Sequence, residues 1–253
     1  MLNNKEVYQL TDEFNTWAHG KGLHFEEKYL IDKYLDKNLK TVEAGTAGGR
    51  ILLEMANMGF TSLYGYDYVA DFIEEAKQKD PENKIVFEVE DATNLNYPDG
   101  YFPQILYLQQ IISSIDEAEP KLKALQEAYR IMASGGTALF SFLSFEVRAR
   151  SLMYKPYLIY LHLLRRLKGE NLSLQYLPWL KLGKKWNLSA LLDRKPYVYW
   201  YKPQEIDRLL KSIGFKIVAV GSNYQIERDS MCLNVAELSG QALTGTLYFV
   251  CTK

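Results

Sequence analysis

The chain has 253 residues, of which 47% are hydrophobic and 24% charged, and its formal net charge is −1. This composition allows one α/β domain with a full core, excludes intrinsic disorder, and argues against a protein that coats nucleic acid. Two cysteines, Cys232 and Cys251, indicate no disulfide framework, so we expect buried thiols and a cytoplasmic location. We detect no targeting signal, and no apolar run approaches the ~20 residues that span a bilayer.

Residues 1–40 are predicted to form a helical lid. Apolar side chains recur at helical spacing from Leu10 to Trp17 and again from Leu23 to Leu35, which predicts two helices. The segment His19-Gly20-Lys21-Gly22 separates them, and its two glycines indicate a turn.

From Thr41 onward, short apolar runs alternate with amphipathic stretches, which is typical of βαβ units. We predict an α/β fold in a single domain, residues 1–253: a Rossmann-like, doubly wound, mostly parallel sheet of seven strands with N-terminal helices and a helical cap insertion before the last helix and strands. The predicted strands are 41–44, 62–67, 85–89, 105–108, 137–143, 215–220 and 247–252, and the predicted helices are 50–58, 70–77, 117–132 and 203–213.

A glycine-rich turn, Glu43 to Arg50, follows the first predicted strand. Glycines bring bare backbone close to a ligand, and the next helix presents unpaired N–H groups to it. Asp67 ends the second strand about 20 residues further on, where a carboxylate can accept both ribose hydroxyls of a nucleoside. A turn with only a structural role is the other interpretation of the first motif.

These motifs resemble those of class I S-adenosylmethionine-dependent methyltransferases, in particular the small-molecule (type 11-like) domain family. The family's first motif reads acid-x-Gly-x-Gly-x-Gly, and the chain has Glu43-Ala44-Gly45-Thr46-Ala47-Gly48-Gly49. Ala47 replaces the middle glycine, a change we expect to be tolerated if its φ is negative. Gly65-Tyr66-Asp67-Tyr68 matches the second-strand acid, and Asp91-Ala92-Thr93-Asn94-Leu95 is similar to the family's Asp-Ala-x-x-Leu loop.

The resemblance implies that S-adenosylmethionine is the cofactor and S-adenosylhomocysteine the product. It also implies a direct in-line methyl transfer to oxygen or nitrogen of a small or amphipathic acceptor that the sequence does not identify. In the family the loop acid meets the adenine amino group, and the end of the fourth strand lines the methionine moiety. The cofactor-binding residues implied are Glu43, Gly45, Thr46, Ala47, Gly49, Asp67, Tyr68, Asp91, Ala92 and Gln109.

An acceptor that carries a proton must lose it, and histidine is the usual base near neutral pH. His24, near the turn before the second predicted helix, and His162 are the candidates. A surface or packing role is the simpler interpretation of each. No cluster has metal-ligand spacing, so we expect no metal.

The insertion, residues 146–201, contains eleven Lys or Arg and three Asp or Glu, a net charge of +8, which leaves −9 for the rest of the chain. It holds three of the four tryptophans, and residues 157–164 are apolar almost all round, so we expect that helix to be covered on several sides. The insertion is interpreted as a cap with its own core, as the wall of an acceptor pocket, or as a peripheral contact with an anionic membrane. A nucleic-acid face ranks last because no RNA-binding motif is present.

Three alternative functions remain open at this point. An NAD(P)-dependent oxidoreductase needs Gly-x-Gly-x-x-Gly, for which the chain has Gly45, Ala47 and Arg50. A non-catalytic S-adenosylmethionine-binding module would bind the cofactor without turnover. An RNA methyltransferase is the third, and its RNA affinity would fall steeply with salt.

Overall fold

A computed structural model describes residues 4–115, 117–182 and 185–253. The strands are β1 (Thr41–Ala44), β2 (Leu63–Asp67), β3 (Ile85–Val89), β4 (Phe102–Tyr107), β5 (Met132–Leu143), β6 (Tyr176–Pro178), β7 (Lys181–Leu182), β8 (Lys185–Trp186), β9 (Tyr197–Tyr199), β10 (Lys216–Ser222) and β11 (Thr246–Thr252). The helices are α1 (Asn4–Tyr8), α2 (Thr11–Ala18), α3 (Phe25–Tyr34), α4 (Arg50–Asn57), α5 (Ala70–Lys79), α6 (Ile111–Ser114), α7 (Ala118–Ile131), α8 (Phe145–Arg150), α9 (Lys155–Leu167), α10 (Pro203–Ile213), α11 (Asn223–Ile226) and α12 (Val235–Leu238), with a 3-10 helix, η1, at Leu188–Leu192.

Seven strands form the central sheet in the order β10-β11-β5-β4-β1-β2-β3, which confirms the predicted fold. Strands β1 to β5 pair in parallel, whereas β11 pairs antiparallel with both β5 and β10. The strand order reverses between β4 and β1. Ligands of doubly wound sheets bind at the carboxyl ends of the strands beside such a reversal.

Both faces of the sheet are buried. Successive residues of β4 alternate between two core clusters: Ile105 and Tyr107 belong to one, and Leu106 belongs to the other. Helices α7 and α10 pack on the first face, and α3, α4 and α5 pack on the second. A central strand covered on both sides has few positions that face solvent, which explains the consecutive apolar residues Ile105 to Tyr107 in β4.

The structure differs locally from the prediction. Strand β5 begins at Met132 rather than Thr137, and its pairing with β4 shifts register between Phe102 and Gln104, beside the left-handed Gly135. The lid has three helices, α1 to α3, rather than two; its first residues, 1–3, lie outside the described chain. Helix α6 was not predicted, because four residues are too few for a periodic pattern. Both cysteines are buried and unpaired, as expected.

The insertion is built around α9 and two short strand pairs, β6–β9 and β7–β8; residues 183 and 184 lie outside its described part. Its small core contains Leu158, Leu161 and Leu177. Arg165 in α9 forms a buried two-point ion pair with Asp193, with N–O distances of 2.5 and 2.7 Å. This pair joins α9 to the residue that follows η1.

The expectation that α9 is covered on several sides is wrong. Leu158, Leu161 and Arg165 are buried, but the side chains of Ile159, Leu163 and Leu167 remain largely exposed to solvent. The insertion's core is too small to cover more than one face of this helix. Within the described ranges, no helix combines the length and apolarity needed to cross a bilayer.

Candidate functional site

A cavity of about 420 Å³ opens at the carboxyl ends of β1, β2 and β4, beside the reversal of strand order. Loops after β1, β2, β3 and β4 form its floor, and lid helices α1 and α2 contribute to its wall. Among the lining residues are Glu43, Gly45, Thr46, Ala47, Asp67, Tyr68, Asp91, Ala92 and Gln109, together with Tyr8, Trp17, Arg50, Glu90, Ile111, Ser114 and Ile115.

The glycine-rich loop after β1 is bent by residues in left-handed conformations. Gly45 has φ +62°, a backbone conformation that favours glycine, and a Cβ added there would lie 2.3 Å from Cδ1 of Ile111. Ala47 has φ +45°, which corrects the expectation of a negative φ. This position favours glycine, because left-handed backbone crowds a Cβ atom at a cost of about 1–2 kcal/mol. The strained turn faces the cavity, as strained backbone at binding sites does.

Asp67 is oriented by the same loop. Its Oδ2 accepts a hydrogen bond from the Ala47 N–H (3.1 Å), and its Oδ1 accepts one from the Val69 N–H (3.0 Å). The carboxylate is buried at the end of β2 and lines the cavity. These two backbone N–H groups fix the direction of each carboxylate oxygen.

Glu43, at the base of the cavity, is a buried carboxyl group that accepts a hydrogen bond from the Thr46 hydroxyl at 2.7 Å. Burial raises the pKa of Glu43 to about 8, although the Thr46 hydrogen bond and the Arg50 charge oppose the shift. A buried acid in this state is held neutral near pH 7, and a cationic ligand group beside it favours the carboxylate.

The Glu43→Gln variant should therefore gain stability over wild type as the pH rises. In the unfolded chain Glu43 ionises at its ordinary pKa, whereas in the folded protein it stays neutral up to about pH 8. Wild type therefore loses stability as the pH rises, and its stability difference from Glu43→Gln grows between about pH 5 and pH 8. Thermal unfolding of the ligand-free proteins across this range measures it. Equal pH dependence of the two melting temperatures would contradict a neutral buried Glu43.

A charge network not predicted from the sequence joins the lid to the cavity. Glu27 of α3 is buried, and its carboxylate accepts two hydrogen bonds from the Arg50 guanidinium, each 2.7 Å long. Arg50 also donates to the Gly22 carbonyl at 2.6 Å, and Glu27 accepts from the Gln109 side-chain amide. The Glu27 carboxylate of the lid thus binds both Arg50, the first residue of α4, and Gln109, a cavity residue after β4.

The turn after β4 is also strained. Gln109 and Gln110 are consecutive non-glycine residues with φ +55° and +60°. Two contacts hold them: Gln109 donates to Glu27, and the Gln110 N–H donates to the Ser141 hydroxyl at 2.9 Å. Such conformations persist only where surrounding contacts enforce them, and here they direct Gln109 into the cavity wall.

Gly48 has a packing role rather than a ligand-binding one. A Cβ there would lie 1.9 Å from the Ala18 carbonyl oxygen at the end of lid helix α2. The Lys79 ammonium donates to that same carbonyl and to the Gly48 carbonyl (3.2 Å). Helix α2 therefore packs directly against the glycine-rich loop.

The Gly48→Ala variant should loosen the lid, because the methyl group meets a backbone carbonyl that moves only if α2 moves. We expect a loss of about 1–3 kcal/mol in unfolding free energy and faster amide exchange in residues 11–18. Hydrogen-exchange mass spectrometry with thermal unfolding measures both. Ala47→Gly is the control, since it removes a methyl group from the same loop and creates no clash. Unchanged exchange in α2 would show that the lid is not seated through Gly48.

Nine of the ten predicted cofactor residues line the cavity. The exception, Gly49, lies beneath the loop at the start of α4, where a Cβ would be 2.9 Å from the Phe87 ring. The two candidate bases, His24 and His162, are both exposed and line no part of the described cavity. Tyr8 and Trp17 do line it, and helical spacing alone could not separate them from ordinary lid residues.

Comparison with known proteins is informative at this point. Residues 42–140, which include the loops after β1 to β4, match a family model described as a methyltransferase domain. The chain carries a methyltransferase domain. S-adenosylmethionine is accordingly its cofactor, and the nicotinamide alternative receives no support. No curated protein sequence matches the chain.

Solved structures confirm the fold of this methyltransferase. A structure of S-adenosylmethionine-dependent methyltransferases from Methanosarcina mazei is 17% identical, has a TM-score of 0.64, and is covered over 96% of its length by 88% of this chain. A protein from Pyrococcus horikoshii is 16% identical, with a TM-score of 0.61 and 98% of each chain covered. A Thermotoga maritima methyltransferase, described as a possible histamine N-methyltransferase, is 17% identical with a TM-score of 0.55; the match covers 98% of this chain and 94% of that one.

The cavity of the methyltransferase fits its cofactor. The left-handed backbone of the glycine-rich loop, the two acids at the ends of β1 and β2, and an apolar wall suit a molecule with a cationic end and a ribose. Among the described residues, no group of three or more His, Cys, Asp or Glu is placed to hold a metal ion.

Proposed function

We propose that this protein transfers a methyl group from S-adenosylmethionine to an oxygen or nitrogen atom of a small or amphipathic acceptor. The observation that carries the proposal is the position of Asp67. Its carboxylate is held by the backbone of the glycine-rich loop, in the same cavity as the buried Glu43. This pairing supports the proposal, because an acceptor for the ribose and a partner for the cation would then line the same cavity.

Each residue of the predicted cofactor set has a role in this proposal. Asp67 accepts the ribose hydroxyls, and Glu43 neutralises the ammonium group. Asp91 and Ala92 would hold the adenine together with Tyr68, and Gln109 would contact the methionine moiety. The backbone of Gly45, Thr46 and Ala47 approaches the ligand, while Gly49 supports the loop from below. The Asp91 carboxylate is positioned by hydrogen bonds from Thr93 N–H and Thr93 hydroxyl, both 2.8 Å long.

When bound, S-adenosylmethionine supplies an electrophilic methyl group whose leaving group is a neutral thioether. The protein therefore needs to position the acceptor and exclude water rather than stabilise a developing charge. Holding the two reactants in line contributes on the order of 7–11 kcal/mol. Tyr8, Trp17, Ile111 and Ile115 provide the apolar wall that keeps the reacting atoms dry.

The described lining contains no histidine, so the acceptor must present its lone pair without help from that residue. Burial raises the pKa of Tyr8 to about 12, so its hydroxyl stays protonated near neutral pH and acts as a hydrogen-bond donor or acceptor rather than a base. We therefore favour acceptors with an accessible lone pair at neutral pH, such as an amine of low basicity or an acidic hydroxyl.

The insertion has a separate part in this proposal. It carries a net charge of +8, against −9 for the rest of the chain, and contributes no described residue to the cavity lining. We propose that it makes peripheral contact with anionic membranes, where amphipathic acceptors accumulate, and that the protein acts in the cytoplasm.

Titration calorimetry with S-adenosylhomocysteine, with NAD(H) as the comparison ligand, tests the cofactor assignment. A screen of acceptors against labelled methyl donor then tests turnover. We expect binding of the adenosyl ligand alone and label transfer to an amine or hydroxyl of an amphipathic compound. Absence of S-adenosylhomocysteine binding would overturn the proposal, and binding without turnover on any acceptor would identify a non-catalytic module.

A further inference from the structure

Helix α9 of the insertion presents an apolar surface to solvent. Ile159, Leu163 and Leu167 follow one another at helical spacing, and their exposed fractions are 61%, 52% and 87%. Leu191 and Leu192 of η1 are also about half exposed. We call these five residues the α9 face. Monomeric proteins seldom expose a contiguous patch of large aliphatic side chains unless something binds there.

The α9 face is continuous because α9 and η1 lie side by side. The Tyr157 hydroxyl donates to the Ala190 carbonyl at 3.0 Å, and the Tyr160 hydroxyl donates to the Leu191 carbonyl. About two turns further along, the Lys168 ammonium donates to the Leu192 carbonyl at 2.8 Å. Three hydrogen bonds thus hold α9 beside η1, so that the exposed aliphatic side chains of the two helices are neighbours.

Positive charge accompanies the apolar surface. Lys155 and Arg166 are exposed on α9 itself, and Arg194 and Lys195 are exposed just beyond η1. The insertion as a whole has a net charge of +8, whereas the remainder of the chain has −9. Such a separation orients the molecule in an external field, with the insertion toward a negative surface.

We infer that the α9 face docks the protein on an anionic lipid bilayer. The inference deepens the membrane contact in the proposed function and rests on it. A helix whose aliphatic side chains point outward and whose flanks carry lysine and arginine suits the interface between headgroups and acyl chains. The aliphatic side chains enter the apolar boundary, and the cations meet lipid phosphates.

Charge argues for a bilayer over a second copy of the chain. A symmetric dimer through this face would bring two insertions of +8 together, and like charges across an interface are repulsive. An anionic membrane attracts the same cations. The insertion that carries the α9 face also contacts the cavity wall, where Trp179 packs edge-on against Tyr8 with ring centroids 5.7 Å apart.

Co-sedimentation with vesicles tests the inference. We expect the full-length protein to bind vesicles of equal parts phosphatidylcholine and phosphatidylglycerol, to bind pure phosphatidylcholine vesicles much less, and to lose binding as salt rises. The double variant Ile159→Gln with Leu163→Gln should reduce partitioning roughly tenfold or more, because it removes two aliphatic side chains from the interface. Arg166→Glu combined with Lys155→Glu should abolish the preference for anionic vesicles.

Leu233→Gln is the matched control, since Leu233 is at least as exposed (68%) but lies outside the insertion. It should bind vesicles like wild type. Equal binding by the α9-face variant, or no binding by wild type, would overturn the inference. Sedimentation velocity gives a further test: a wild-type oligomer that dissociates in the Ile159→Gln, Leu163→Gln variant would also overturn the inference. S-adenosylhomocysteine binding should be unchanged in all variants, so a failure of membrane docking is distinguishable from a failure of the cofactor assignment.

Discussion

The Asp67→Ala variant is expected to bind S-adenosylhomocysteine at least about tenfold more weakly than wild type, with an unchanged overall fold. Each hydrogen bond to a charged acceptor contributes about 1.5–3 kcal/mol, and the proposed ribose contact involves two hydroxyl donors. About 1.4 kcal/mol corresponds to a tenfold change in affinity, so loss of even one bond reaches that limit. Titration calorimetry at constant pH and salt measures the change.

Two comparisons separate lost ribose contact from general damage. Asp71→Ala changes an exposed acid four residues away, in the first turn of α5, and should bind like wild type. Asp67→Asn keeps one acceptor oxygen, which can serve the Ala47 N–H or the Val69 N–H but not both, and should bind with intermediate affinity. If Asp67→Ala binds as tightly as Asp71→Ala, the ribose lies elsewhere.

The parts of the fold that the sequence predicts well are those governed by strand burial. Strands β1 and β3 were predicted to the residue, because each is a short run rich in β-branched residues that is bounded by charged or glycine residues. Asp67 and Glu43 could be placed in the site for the same reason, since each occupies a position at or near the carboxyl end of such a strand. At these two residues, the local sequence pattern is enough to predict their position in the tertiary structure.

Other features depend on contacts between distant segments and leave no local signal. The bond from Glu27 to Arg50 spans 23 residues, and that from Glu27 to Gln109 spans 82. Gly48 is required by a carbonyl of the lid, not by the motif's ligand. Two further features also follow from packing. Ala47 is left-handed because its loop is packed between α2 and β2, and one side of α9 is exposed because the core of the insertion is small.

The Glu27→Ala variant is expected to lose about 3–5 kcal/mol of unfolding free energy, which lowers the melting temperature by roughly 10 °C or more. Removal of Glu27 leaves the largely buried Arg50 guanidinium without its anion. The position aggravates the loss, because Arg50 is the first residue of α4 and a helix N-terminus carries partial positive charge. We also expect weaker S-adenosylhomocysteine binding, since Gln109 loses the contact that holds its strained backbone.

Helix α3, which contains Glu27, also contains a control ion pair with the same N–O distance. Lys28 and Asp32 of α3 form an ion pair whose N–O distance is 2.7 Å, the same as that between Arg50 and Glu27, but both side chains are exposed. Lys28→Ala should cost at most about 0.5 kcal/mol, because solvent screens the pair. In a double-mutant cycle, adding Arg50→Ala to Glu27→Ala should recover part of the lost stability, since it removes the unpaired charge. Additive losses, or a Glu27→Ala effect no larger than that of Lys28→Ala, would show that the lid is held to the cofactor loop by packing and not by this buried pair.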